Sequence, residues 1–227
     1  MPLRFSSTAG APPVTVYGMH EPHPSRPQLA PTDERTLVAG CRAGDAASLD
    51  SFFRVYFGYV QRVISRLVGP TPDLQDLVQS TFIEAIQSFD RYRGGASLQT
   101  WVTRIAVHLS FNQLRAGVRR HVPLELVPSS HEPADPRSAA DVELSTRQLG
   151  RRLYDLLDRL APKKRVAFLL YTVEEHSIEE VAALTGSSRA AAKSRIWFAR
   201  RELLAAVKNR PELRAFVQES VGAEPWR

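Results

Sequence analysis

Leu49, Phe52, Phe53, Tyr56, Val60, Val63, Ile64 and Leu67 recur at three- and four-residue intervals, the spacing that puts side chains on one face of an α-helix. Gly44-Asp45 marks a turn before this run, and Gly69-Pro70-Thr71-Pro72 stops it. The spacing therefore predicts a helix over 46–68. No stretch of the chain shows the period-two alternation of a half-buried strand, so the expected fold class is all-α.

The same period organises the neighbouring segments. Thr32 or Asp33 can cap a first helix running toward Ala39. A third helix is predicted over 73–89, with Leu74, Leu77, Val78, Phe82, Ile86 and Phe89 as its buried stripe and Asp76, Gln79 and Ser80 outside it. Residues 90–96 contain Gly94-Gly95 and are expected to form a loop. A fourth helix over 97–120 ends in Arg115, Arg119 and Arg120, charges that suit a helix C-terminus.

Proline divides the rest. Seven of the sixteen prolines lie in residues 1–31, which are expected to be a disordered tail. Pro123, Pro128, Pro133 and Pro136 make residues 121–140 a flexible linker. The chain thus reads as two small helical domains, 32–120 and 141–210, followed by a C-terminal tail over 211–227. In the second, a helix runs from Asp141 to Leu160 and Ala161-Pro162 breaks it. Further helices are predicted over 163–171, 177–185 and 188–208.

The last two form the sharpest local motif. Ser177-Ile178-Glu179-Glu180 is a capping box, a hydroxyl followed three residues later by Glu. Val181, Ala182 and Leu184 give a buried side. Gly186 supplies a tight turn, and Ser187 or Ser188 caps the next helix. This is the helix-turn-helix order, whose second helix enters the DNA major groove. At 100° per residue, Ala192, Ile196, Ala199 and Leu203 turn inward, while Ala190, Ser194, Trp197 and Arg201 point away. Lys193, Arg200 and Phe198 flank the outer face. Residues 189–210 carry seven Lys or Arg and a single acid, Glu202.

Composition agrees with a polyanionic partner: the net charge is +6 and the pI about 9.8. The single cysteine, Cys41, permits no internal disulfide and suits a reducing cytosol. There is no secretory signal pattern, and no apolar run nears the ~20 residues that span a bilayer. A cytoplasmic protein without membrane contact is expected. No phosphate loop, catalytic triad or metal-ligand spacing is present, so neither an enzyme nor a cofactor is expected.

Several motifs together resemble the bacterial RNA polymerase sigma factors of the extracytoplasmic-function (ECF) type. They are Asp73-Leu-Gln-Asp-Leu-Val-Gln-Ser-Thr-Phe82, Phe89-Asp-Arg-Tyr-Arg-Gly94 and Thr100-Trp-Val-Thr-Arg-Ile-Ala106, then Ser177-Ile-Glu-Glu-Val-Ala182 and Lys193-Ser-Arg195 through Ala199-Arg-Arg201. The resemblance covers about 32–120 and 141–208. It implies a factor that binds core RNA polymerase through the beta-prime clamp and beta flap, directs it to promoters and helps open the minus-ten element. Regulation by an anti-sigma protein is implied too.

The resemblance also distributes roles. Asp76, Gln79, Ser80 and Ile86 would dock on the clamp. Arg91, Tyr92, Arg93, Gly94 and Ser97 would form a loop that holds a flipped minus-ten base, with Tyr92 either stacking on it or capping the domain core. Arg104, His108 and Asn112 fall on one polar stripe of the following helix and would extend minus-ten contact. Lys193, Ser194, Trp197 and Phe198 would read the minus-thirty-five element, with Ser188, Arg189 and Arg201 beside them. Phe198 stands where the family usually offers a polar residue or Arg, and His108 where it often has Asn.

Overall fold

The computed structural model describes residues 27, 29–116 and 150–208. The expected tail up to residue 26, the linker 121–140 and the C-terminal tail 211–227 lie outside these residues. So do Arg119 and Arg120, and the expected helix start at Asp141.

Among the described residues all regular structure is helical. The first unit contains α1 (Pro31–Arg42), α2 (Ala46–Val68), α3 (Leu74–Ser88) and α4 (Leu98–Arg115), with a 3-10 turn at Phe89–Arg91. The second contains α5 (150–157), α6 (Pro162–Thr172), α7 (Ile178–Leu184) and α8 (Arg189–Ala206).

Helix starts follow local chemistry, with one departure. The first helix is not capped by Thr32 or Asp33. It begins at Pro31, behind Ala30, with no side-chain cap, because proline presets a helical φ and lacks the N–H a cap would satisfy. It also runs past Ala39 to Arg42. Pro162 likewise opens α6 instead of merely ending α5. Asp45 caps α2, accepting from the Ser48 amide at 2.8 Å.

The core of the first unit centres on Phe52, whose ring lies 5.3, 5.6 and 5.0 Å from those of Tyr56, Phe82 and Phe89. Two residues of the expected stripes are displaced from it. Phe53 is 44% exposed and Ile86 45%. Each sits at the margin of its helix's apolar face. On α3 the inward side is taken by Val78, Thr81, Phe82 and Ala85, so small residues let it lie close to α2 and α4 while Ile86 turns out.

The two units pack against each other. Arg66 near the end of α2 and Glu174 after α6 form a 2.9 Å ion pair, with side chains only 4% and 2% exposed. Arg165, wholly buried, donates from Nε to the Leu67 carbonyl at 2.8 Å and pairs with Asp158. Burial pushes its guanidinium down to about 10. Gly69 ends α2 at φ 80°, and a Cβ there would stand 2.6 Å from the Tyr154 ring. Only glycine meets both conditions. One apolar cluster continues through both units.

Candidate nucleic-acid interface

The helix-turn-helix is assembled by local signals. Ser177 and Glu180 complete the capping box reciprocally, at 3.2 Å and 2.8 Å. Gly186 makes the turn at φ 57°, and Ser188 caps α8 through the Ala191 amide. Ala192, Ile196, Ala199 and Leu203 are buried. Lys193, Ser194, Trp197, Phe198 and Arg201 are all exposed, as are Ser188 and Arg189. Arg189 also pairs with Glu179 on α7 at 2.7 Å.

The outward aromatics form a unit. The Trp197 and Phe198 rings stand edge-on at 4.8 Å. Arg201 lies over Trp197 at 5.4 Å and Lys164 over Phe198 at 5.6 Å. Two exposed rings flanked by cations make a surface with apolar faces for thymine methyls and donors for phosphate or guanine.

A second exposed surface lies on the first unit. Arg91, Arg93, Gly94 and Ser97 are exposed on the loop, and Arg104, His108 and Asn112 on α4. Ser97 caps α4 by accepting from the Thr100 amide at 3.2 Å. Tyr92 departs from the group. It is only 7% exposed, and its ring lies 5.3 Å from that of Trp101. Its hydroxyl, with one proton to give, lies 2.6 Å from a Glu34 carboxylate oxygen and 2.7 Å from the Ala96 carbonyl. Burial, then the Glu34 contact, raises its pKa above the ordinary tyrosine value. Of its two expected roles, this packing is that of the core cap.

The loop is fixed from α1, which sequence patterning did not show. Glu34 also accepts from the Leu98 amide at 3.0 Å. Arg42 donates to the Phe89 carbonyl at 3.1 Å and to that of Tyr92. Both ends of the loop are thus tied to one helix.

The third surface is the outer side of α3. Asp76, Gln79, Ser80 and Ile86 are exposed there. Ile83, 55% exposed, lies between them, and Phe53 of α2 packs on Phe82 at 4.9 Å beside them. Exposed Ile and Phe among polar residues are the composition of a protein contact.

Comparison with known proteins identifies what carries these surfaces. Residues 52–120 match the family model for Sigma-70 region 2, and residues 150–203 that for Sigma-70, region 4. The RNA polymerase sigma factor CarQ of Myxococcus xanthus is 35% identical over 154 residues, covering 68% of this chain and 86% of CarQ. The ECF RNA polymerase sigma factor SigE of Mycolicibacterium smegmatis is 32% identical over 181 residues, covering 77% of this chain and 69% of SigE. The chain belongs to the ECF sigma factors. Two solved structures share its fold: CnrH in complex with the cytosolic domain of CnrY (TM-score 0.55, 23% identity, 78% of this chain and 98% of that one), and the sigma factor RpoE with the anti-sigma factor NepR from Bartonella quintana (TM-score 0.51, 21% identity, 71% and 97%).

As an ECF sigma factor, the chain directs RNA polymerase to promoters and initiates transcription there. The helix-turn-helix falls in region 4, and the loop, α3 and α4 in region 2. No helix among the described residues is long and apolar enough to cross a membrane.

Proposed function

We propose that this sigma factor reads its promoter through two separate surfaces and docks on polymerase through a third. Trp197, Phe198, Lys193 and Ser194 contact the minus-thirty-five element in the major groove, with Arg201, Ser188 and Arg189 on flanking phosphates. Arg91, Arg93, Gly94 and Ser97 hold the flipped minus-ten base. Arg104, His108 and Asn112 contact the adjacent strand. Unstacking a base costs a few kcal/mol, which edge hydrogen bonds and phosphate contacts offset. Asp76, Gln79, Ser80, Ile83 and Ile86 bind the beta-prime clamp, and region 4 binds the beta flap.

The observation that carries this proposal is the outward face of α8, where an aromatic pair is flanked by cations while the opposite face is buried. The two DNA surfaces cannot act together in the packed arrangement. Promoter elements about 25 base pairs apart are separated by roughly 85 Å at 3.4 Å per pair. Here Arg104 and His108 of α4 line the same cavity as Arg195 of α8. Binding to core therefore separates the units. Residues 121–140, which can span about 70 Å when extended, thread through polymerase between them. We assign the chain to the cytoplasm, with no catalytic activity of its own and an anti-sigma protein as its inhibitor.

The test is reconstitution. Core polymerase and this chain should co-purify and yield a run-off transcript from a cognate promoter. Failure to bind core under any salt condition would overturn the proposal.

A further inference from the structure

We infer that the seam between the two units is a binding site for a small polyphosphate anion. A cavity of about 270 Å³ opens there, lined by Arg104 and His108 of α4, Lys163 of α6 and Arg195 of α8, with Thr185 and Gly186 of the helix-turn-helix turn and four apolar side chains from α4, α6 and α7. No acidic residue lines it. None of these four basic side chains forms a hydrogen bond or ion pair among the described residues.

Their neighbours behave differently. Lys164 pairs with Glu202, Arg165 with Asp158 and Arg189 with Glu179. Glu202, Asp158 and Glu179 are thus committed to other cations, and Arg104, Lys163 and Arg195 face the cavity without an acidic partner. Packing the units together brings Arg104 from one side and Lys163 and Arg195 from the other toward one space, and like charges oppose that approach. The buried Arg66–Glu174 pair and the Arg165 contact hold the seam despite them. A multivalent anion in the cavity would turn the repulsion into attraction.

The donor chemistry selects phosphate. Guanidinium groups bind phosphate oxygens through paired N–H donors, and Lys adds a mobile point charge. The volume falls just below the roughly 300–1,000 Å³ of pockets that enclose drug-sized ligands. It suits a pyrophosphate group, free or at the end of a nucleotide. The effect on transcription rests on the function proposed above: a bound anion occupies Arg104 and His108 and favours the packed, promoter-incompetent arrangement. The binding itself does not depend on that proposal.

Calorimetric titration of the full chain with inorganic pyrophosphate should reveal one site per chain. Lys163→Ala and Arg104→Ala, one from each unit, should each weaken binding at least fivefold while melting as the wild type does. Lys193→Ala, on α8 but outside the cavity, should change it less than twofold. A parallel titration with guanosine diphosphate separates the sources. Equal affinity identifies the phosphates alone as the ligand, and tighter binding identifies a nucleotide. Several sites per chain, or a loss at Lys193→Ala without one at Lys163→Ala, would place the anion on the DNA-reading face and overturn the inference. Absence of a run-off transcript would instead contradict the proposed function and leave this site intact.

Discussion

The Tyr92 hydroxyl and the Trp197 ring show opposite fates of aromatic side chains that local sequence treats alike. Trp197 points outward because helical phase leaves it opposite Ala192, Ile196 and Ala199, and that phase is legible in the sequence. Tyr92 turns inward because its partner, Glu34, lies 58 residues earlier, which no local pattern encodes. Replacing Trp197 with Ala should reduce discrimination between cognate and altered minus-thirty-five sequences by about 1–3 kcal/mol, read as the ratio of binding constants, while core binding is unchanged. Tyr92→Phe should cost about 1–3 kcal/mol of stability in urea unfolding, since it removes a buried hydrogen-bonding partner of Glu34. The Tyr92 pKa is raised in the folded chain. Its contribution is therefore complete below about pH 10 and is lost as pH rises above that unfolded value. The difference between wild type and Tyr92→Phe should narrow in that alkaline window.

At the scale of elements, the legible parts are those whose causes are local. The capping box at Ser177, the stop at Gly69 and the turn at Gly186 follow from residues a few positions apart, and each is where sequence places it. The exposure of Phe53 and Ile86 was less legible, because it depends on how closely α3 lies against α2 and α4. Their exposure, with Ile83, extends the Asp76–Gln79 surface from a polar stripe to a mixed apolar and polar face. Asp76→Arg should weaken core binding at least tenfold in a pull-down titration while duplex contact by region 4 persists. Unaltered core binding would move the docking surface elsewhere. The role of α1 is similarly non-local. Glu34 and Arg42 hold both ends of the loop proposed to bind the minus-ten base, so Glu34→Ala should impair promoter opening, measured by permanganate reactivity, more than it impairs core binding.

For the molecule as a whole, the sequence separates two helical units, and it shows nothing of their mutual packing. Arg66 and Arg165 are both buried at the seam. Their acceptors, Glu174 and the Leu67 carbonyl, lie 108 and 98 residues away. Removing one partner of a buried ion pair leaves an uncompensated charge, at a cost of about 3–5 kcal/mol. Glu174→Ala should therefore open the seam, increasing the radius of gyration in solution scattering while helical content is kept. An unchanged radius would show that the seam is held without the pair.

The central claim is that one chain reads two promoter elements through surfaces that act only when its halves are apart. It is tested most directly by sequencing run-off transcripts from core polymerase and this chain on a randomised promoter library. Selected templates should carry two fixed blocks at a constant spacing, and a Lys193→Ala, Trp197→Ala chain should relax the upstream block alone. Selection of a single block, or loss of both with that variant, would contradict it.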